Sequence, residues 1–87
     1  VKSRTTRHFR ELFTHLPESV QQAAKRAYKL FLANPDHPGL HFKQVDPQRK
    51  LYSVRIGRDF RALGVRNKNR IVWIWIGKHS DYDRMLR

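Results

Sequence analysis

Two periods of hydrophobic spacing divide this chain. Phe9, Leu12, Phe13 and Leu16 recur at i, i+3, i+4 and i+7, which marks one apolar helical face. Val20, Ala23 or Ala24, Ala27, Leu30 and Phe31 hold the same spacing until Asn34-Pro35 stops the run. Pro17 suits the first turn of that second helix, and Glu18 favours its dipole. With almost nothing between them, the two helices are expected to form an antiparallel hairpin. After the break at residues 34–39 the period falls to 2. Segments 41–45, 51–56, 60–65 and 70–76 read as strands separated by short turns, and residues 1–6 as an edge strand or extended lead-in. Loops this short imply antiparallel neighbours, and the last three strands form a meander.

The expected fold is therefore α+β: a two-helix N-terminal hairpin packed on one face of a mainly antiparallel four- to five-stranded sheet, with a short C-terminal helix. At 87 residues the chain reads as a single domain, residues 1–87. It shows no repeat, low-complexity tract or linker.

Register arguments assign faces. If Gly57-Arg58-Asp59 is a three-residue loop, Ile56 opposes Phe60, Val54 opposes Ala62 and Tyr52 opposes Gly64, collecting an apolar face for the helices. Ser53, Arg55, Arg61 and Leu63 fall on the other face. The same rule at Asn67-Lys68-Asn69 sets Leu63 opposite Trp73 and Arg61 opposite Trp75. The open face would then carry Arg55, Arg61, Trp73 and Trp75, with His79 near its end. A two- or four-residue loop there would change the second register, and both indoles could instead be core residues. Arginines and indoles on an open sheet suit phosphates and stacked bases.

Charge sharpens that reading. Nineteen Lys and Arg against seven Asp and Glu give +12, which points to a polyanion or an acidic protein as partner. The basic residues are spread over the chain rather than along one amphipathic helix, so a membrane surface is not expected. The apolar run Ile71–Ile76 is far shorter than the roughly 20 residues a bilayer crossing needs. No secretory leader is read, and the chain has no cysteine; a reducing, cytoplasmic setting is the expectation. The five histidines show no ligand spacing, so neither a metal nor another cofactor is expected.

The stretch after the last strand, Gly77-Lys78-His79-Ser80-Asp81-Tyr82-Asp83-Arg84, gathers proton-transfer groups. Ser80 with Asp83 three places on resembles a capping box opening a short helix through Met85 and Leu86. Two helices, then Leu51-Tyr52-Ser53-Val54-Arg55, Arg61 in the following strand, and Gly77, His79 and Tyr82 near the end together resemble the RelE/ParE superfamily of bacterial toxin–antitoxin toxins. The resemblance covers essentially the whole chain. It implies one of two activities: cleavage of messenger RNA on the ribosome, or inhibition of DNA gyrase without nuclease action. By the first, Arg61 and Arg55 would be the catalytic cations, His79 the acid or base and Tyr82 an orienting or stacking group. Lys43, Lys50, Arg58, Trp75 and Lys78 would bind nucleic acid. The chain departs from the nuclease pattern in having His79 and Tyr82 three apart, and no glutamate on the middle strands; Asp46 is the nearest carboxylate there. The resemblance also implies an antitoxin, acidic in character, against a surface that includes Arg7, Arg10, Lys25 and Arg26. An RNA-binding relative without toxicity is a further alternative.

Overall fold

A computed structural model describes residues 2–86. The elements run β1 (Lys2–Thr5), α1 (Arg7–Thr14), α2 (Glu18–Ala33), a 3-10 turn (Pro38–Leu40), β2 (Lys43–Asp46), β3 (Leu51–Ile56), β4 (Phe60–Asn67), β5 (Arg70–Lys78) and α3 (His79–Met85). Val1, the first residue of the expected lead-in strand, lies outside the described residues. The sheet order is β1-β5-β4-β3-β2. β1 runs parallel to β5 and every other pairing is antiparallel. The α+β architecture expected from the patterning is the one observed.

Local chemistry sets the helix ends. Thr6 caps α1, its Oγ1 accepting from the Phe9 N–H at 3.1 Å. Pro17 stands just before α2 rather than inside its first turn, and its carbonyl accepts from Val20 and Gln21, each at 3.0 Å. Gln21 reaches back from α2 to the Phe13 carbonyl at 3.0 Å, fixing the corner between the helices. Each helix then packs chiefly onto the sheet, α1 over β5 and α2 over β3, and a groove remains between them.

The core lies on this helix-covered face. Phe31, Leu40, Val54, Ile56, Ala62, Ile71, Trp73 and Ile76 are buried there as one cluster. Phe31 meets Trp73 edge-on at 5.4 Å between ring centroids. Each such large side chain withdrawn from water contributes about 1.5–3 kcal/mol. Strand β3 supplies Val54 and Ile56 to this face, and the β3–β4 register matches the expected one at all three pairs: Ile56 with Phe60, Val54 with Ala62, Tyr52 with Gly64.

The β4–β5 register departs from expectation, and the departure decides where the tryptophans go. Asn67 pairs with Arg70, so the turn holds two residues rather than three. The pairing then shifts between Leu63 and Gly64: Gly64 opposes Trp73, but Leu63 opposes Trp75. The extra residue on β5 is Ile74, and this bulge reverses the alternation on one strand only. Trp73 consequently faces the helices at 4% exposure, its Nε1 donating to Ser3 Oγ at 3.0 Å. The expected placement of Trp73 on the open face is thus corrected. Glycine at 64 makes this possible, since a Cβ there would lie 2.8 Å from the Trp73 ring and 2.9 Å from Ile71.

The second face carries a smaller cluster. Leu51, Leu63 and Tyr82 are buried together, with Val65, Trp75 and Leu86 packed against them. Helix α3 therefore folds back over part of the sheet face opposite α1 and α2.

Candidate nucleic-acid interface

Arg55 and Arg61 are directly paired across β3 and β4. Strand alternation places both opposite to Val54, Ile56 and Ala62, on the α3 side. Like charges placed opposite one another destabilise a sheet unless something offsets them. Each guanidinium donates one N–H to the backbone, Arg55 Nε to the Gly57 carbonyl at 2.9 Å and Arg61 Nη1 to the Phe60 carbonyl at 3.1 Å. The ion pairs among the described residues are Arg7–Glu11, Arg49–Asp46, Arg84–Asp81 and His79–Asp83. Neither Arg55 nor Arg61 is among them, so most of the five N–H donors on each remain for an anion.

His79 closes this end of the sheet. Gly77 pairs with Arg61, and the His79 N–H donates to the Asp59 carbonyl at 2.7 Å, so the imidazole is anchored two residues beyond the Arg61 pair. Its ring stacks on Tyr82 with centroids 5.8 Å apart, and Nε2 lies 3.3 Å from Asp83 Oδ2. Nδ1 is buried with no hydrogen-bond partner among the described residues. A buried ring nitrogen left unpaired within a fold is uncommon. The helix begins at His79, with Lys78 at its cap and no side-chain hydrogen bond there. The expected capping box on Ser80 is therefore not formed; Asp83 turns to His79 instead.

Trp75 shares this face. A Cβ on Gly77 would lie 2.5 Å from the Trp75 indole, so the ring crosses the bare backbone beside the strand position paired with Arg61. Tyr82 is different from its expected role. It is 7% exposed, and its hydroxyl donates to Ser53 Oγ at 3.3 Å. That buried contact pins α3 to β3 and leaves the Tyr82 ring stacked on the imidazole rather than exposed on the open face.

The remaining basic candidates divide by position. Arg58, in the β3–β4 turn, and Lys78, at the end of β5, are exposed at the Arg55–Arg61 end. Lys43 is exposed on edge strand β2, paired with Ser53. Lys50 lies at the other end of the sheet, its carbonyl accepting from the Arg66 N–H; that is about 17 Å along the strands from Arg61. Asp46 belongs to that far end too. Its Oδ1 accepts from the Gln48 and Arg49 N–H groups and its Oδ2 from Arg49 Nε at 2.6 Å. The Arg49 side chain's hydrogen bond holds its carboxyl below the usual carboxylate range. Asp46 is a turn-capping anion there, remote from Arg61. Among the described residues, no three His, Asp or Glu side chains converge to hold a metal.

The His79–Asp83 contact and the buried Ser53–Tyr82 bond do not follow from the sequence pattern. The first has a signal: His and Asp four apart face one another once the helix is started at 79 instead of 80.

Solved structures share this fold. The RelB–RelE antitoxin–toxin complex from Methanococcus jannaschii matches with a TM-score of 0.73 at 17% identity, covering 93% of this chain and 96% of that one. YafQ from E. coli matches with a TM-score of 0.73 at 8% identity, covering 93% and 96%. The isolated E. coli RelE toxin matches with a TM-score of 0.65 at 13% identity, covering 99% and 98%. None of the curated proteins matches the chain in sequence. The family model of the ParE-like toxin domain matches residues 18–84, a span that runs from α2 through the Arg55–Arg61 pair to His79 and Asp83. The chain belongs to the ParE-like toxin domain family.

Proposed function

We propose that this chain is the toxin of a type II toxin–antitoxin system and that it cuts messenger RNA on the ribosome, blocking translation in the cytoplasm. The observation that carries the proposal is the cross-strand Arg55–Arg61 pair, unneutralised by any described carboxylate, with the His79 imidazole at the same end of the sheet.

Cleavage by the neighbouring 2′-hydroxyl needs three functions. A base takes the 2′ proton as that oxygen attacks phosphorus; a cation meets the charge growing on the phosphorane; an acid protonates the departing 5′-oxygen, leaving a 2′,3′-cyclic phosphate. Arg61 supplies the cation, helped by Arg55. His79 acts as acid or base, its ring held by the Tyr82 stack and the Asp83 carboxylate. With its side chain 45% exposed, it is open to a strand lying beside Arg61. Trp75, Arg58 and Lys78 hold the message at this end, and Lys43 and Lys50 hold RNA further along.

The antitoxin in this reading sits on the opposite face. The groove between α1, α2 and the sheet encloses about 580 Å³, with Phe13, Phe31, Val54, Ala62, Trp73 and Ile76 along its floor. Arg4, Arg10, Lys25, Arg26 and Lys29 edge it. An apolar floor within a cationic rim suits an acidic amphipathic helix. Arg7, included in the expected docking surface, is paired with Glu11 and does not line the groove.

A second reading, gyrase inhibition without cleavage, is favoured by one observation: Tyr82, which the nuclease reading would use to orient or stack at the site, is buried at 7% exposure with its hydroxyl bound to Ser53. Primer extension on mRNA from translating extracts tests the choice. New cuts with the wild-type protein, reduced about 100- to 1,000-fold in rate by Arg61→Ala, are expected. Absence of cuts, or undiminished cutting by Arg61→Ala, removes the nuclease reading, and inhibition of gyrase supercoiling without cuts selects the second.

A further inference from the structure

The end of the sheet remote from the arginine pair carries a second concentration of positive charge. The β4–β5 turn and β1 enclose an open recess of about 490 Å³ lined by Lys2, Asn67, Lys68, Asn69 and Arg70. Lys2 pairs with Arg70 across β1 and β5, and its N–H donates to the Asn69 carbonyl at 2.8 Å. Lys50 and Arg66 adjoin this recess through the neighbouring strands. Asp46, which pairs with Leu51 at this end of the sheet, is already bound to Arg49.

Two features fix the geometry of this charge. Lys68 and Lys50 both adopt left-handed backbone conformations, with φ of 57° and 53°, in turns at this same end. Glycine or asparagine is the favoured residue at such positions, so each lysine sits against the backbone's own preference. Arg66 then ties the two turns together. Its N–H donates to the Lys50 carbonyl at 3.0 Å, and its Nε donates to the Lys68 carbonyl at 3.2 Å. The guanidinium also lies over the Phe42 and Tyr52 rings, 5.6 and 5.5 Å from their centroids. A cation held on aromatic faces is fixed in orientation without being neutralised.

We propose that this end is a second phosphate-binding surface, taking the backbone of base-paired RNA while the Arg55–Arg61 end takes the single strand. Folded RNA is read mainly through its phosphates and shape, and phosphate contacts set position and register. Arg61 and Asn67 stand six residues apart on β4, about 20 Å, so both ends can be occupied together. The proposal rests on RNA being the target of this chain and not on cleavage by it.

The test is equilibrium binding of the full chain to a 20-base-pair RNA duplex over a series of salt concentrations. Removing one phosphate-binding charge reduces the slope of log K against log salt by about 0.7–0.9. The Lys2→Gln/Lys68→Gln/Arg70→Gln triple variant is expected to lose about 2 units of slope while mRNA cleavage sites stay the same. Lys68→Gly guards against a folding defect. It removes one charge and relieves one left-handed residue, so melting temperature should rise while the slope drops by about one. An unchanged slope in both variants overturns the proposal, as does absence of duplex binding by the wild type. Weaker binding of the triple variant to polyglutamate with no change toward RNA reassigns the surface to a protein and also overturns it. A wild-type chain that makes no cuts yet shows these slope losses retains the surface and removes only the nuclease reading.

Discussion

Trp73 and Trp75 stand two residues apart in β5, a spacing that ordinarily puts both side chains on one face, yet Trp73 packs with Phe31 beneath the helices and Trp75 with Leu63 on the α3 side. The same residue type has two uses in one strand because one extra residue, Ile74, intervenes at the bulge. The helix-side indole is enclosed, with its N–H bound to Ser3. The α3-side indole lies over a glycine beside the arginine pair. What separates the faces is therefore less their apolar content than how their polar groups are satisfied. Trp73 has its partner within the fold, whereas Arg55, Arg61 and His79 Nδ1 keep hydrogen-bonding capacity unmatched.

That contrast can be broken in graded steps. Trp73→Ala should remove about 3–5 kcal/mol of stability by opening a cavity beneath the helices, whereas Arg61→Ala should change stability by no more than about 0.5 kcal/mol; urea denaturation of both variants measures the gap. Gly64→Ala forces a methyl group against Trp73 and Ile71, and should cost about 1–3 kcal/mol in the same assay. If it is neutral, the bulge is not where the indole is accommodated. Tyr82→Phe leaves Ser53 buried without its donor and should cost about 1 kcal/mol. Because α3 would then be less firmly pinned, faster amide exchange in residues 79–85 is the accompanying result, and unchanged exchange would mean that apolar packing alone holds the helix.

Much of this fold was legible in the chain. The change of period after residue 39 separates helices from strands, and the need to keep Ile56, Val54 and Tyr52 on one face fixes the β3–β4 register. That register is what brings Arg55 beside Arg61, so the centre of the candidate site follows from pattern alone. The β4–β5 hairpin was harder because an odd loop and a two-residue loop with a bulge put Trp75 on the same face, and they differ only between the turn and Gly64, where they send Trp73 to opposite faces. A glycine inside an otherwise apolar strand is the signal for that bulge. The fate of Tyr82 was not legible at all: it depends on α3 folding back over Ser53, a contact 29 residues away in sequence. The β1–β5 parallel pairing is equally non-local, since nothing near Lys2–Thr5 specifies its partner.

The division of labour between the faces is tested most directly by fluorescence of two single-tryptophan chains, Trp73→Phe and Trp75→Phe, titrated with single-stranded RNA. Trp75 alone, in the Trp73→Phe chain, should be quenched as bases stack beside the arginine pair, while Trp73 alone should keep its emission. Quenching of Trp73 with Trp75 unaffected would place the RNA on the helix side and contradict the account.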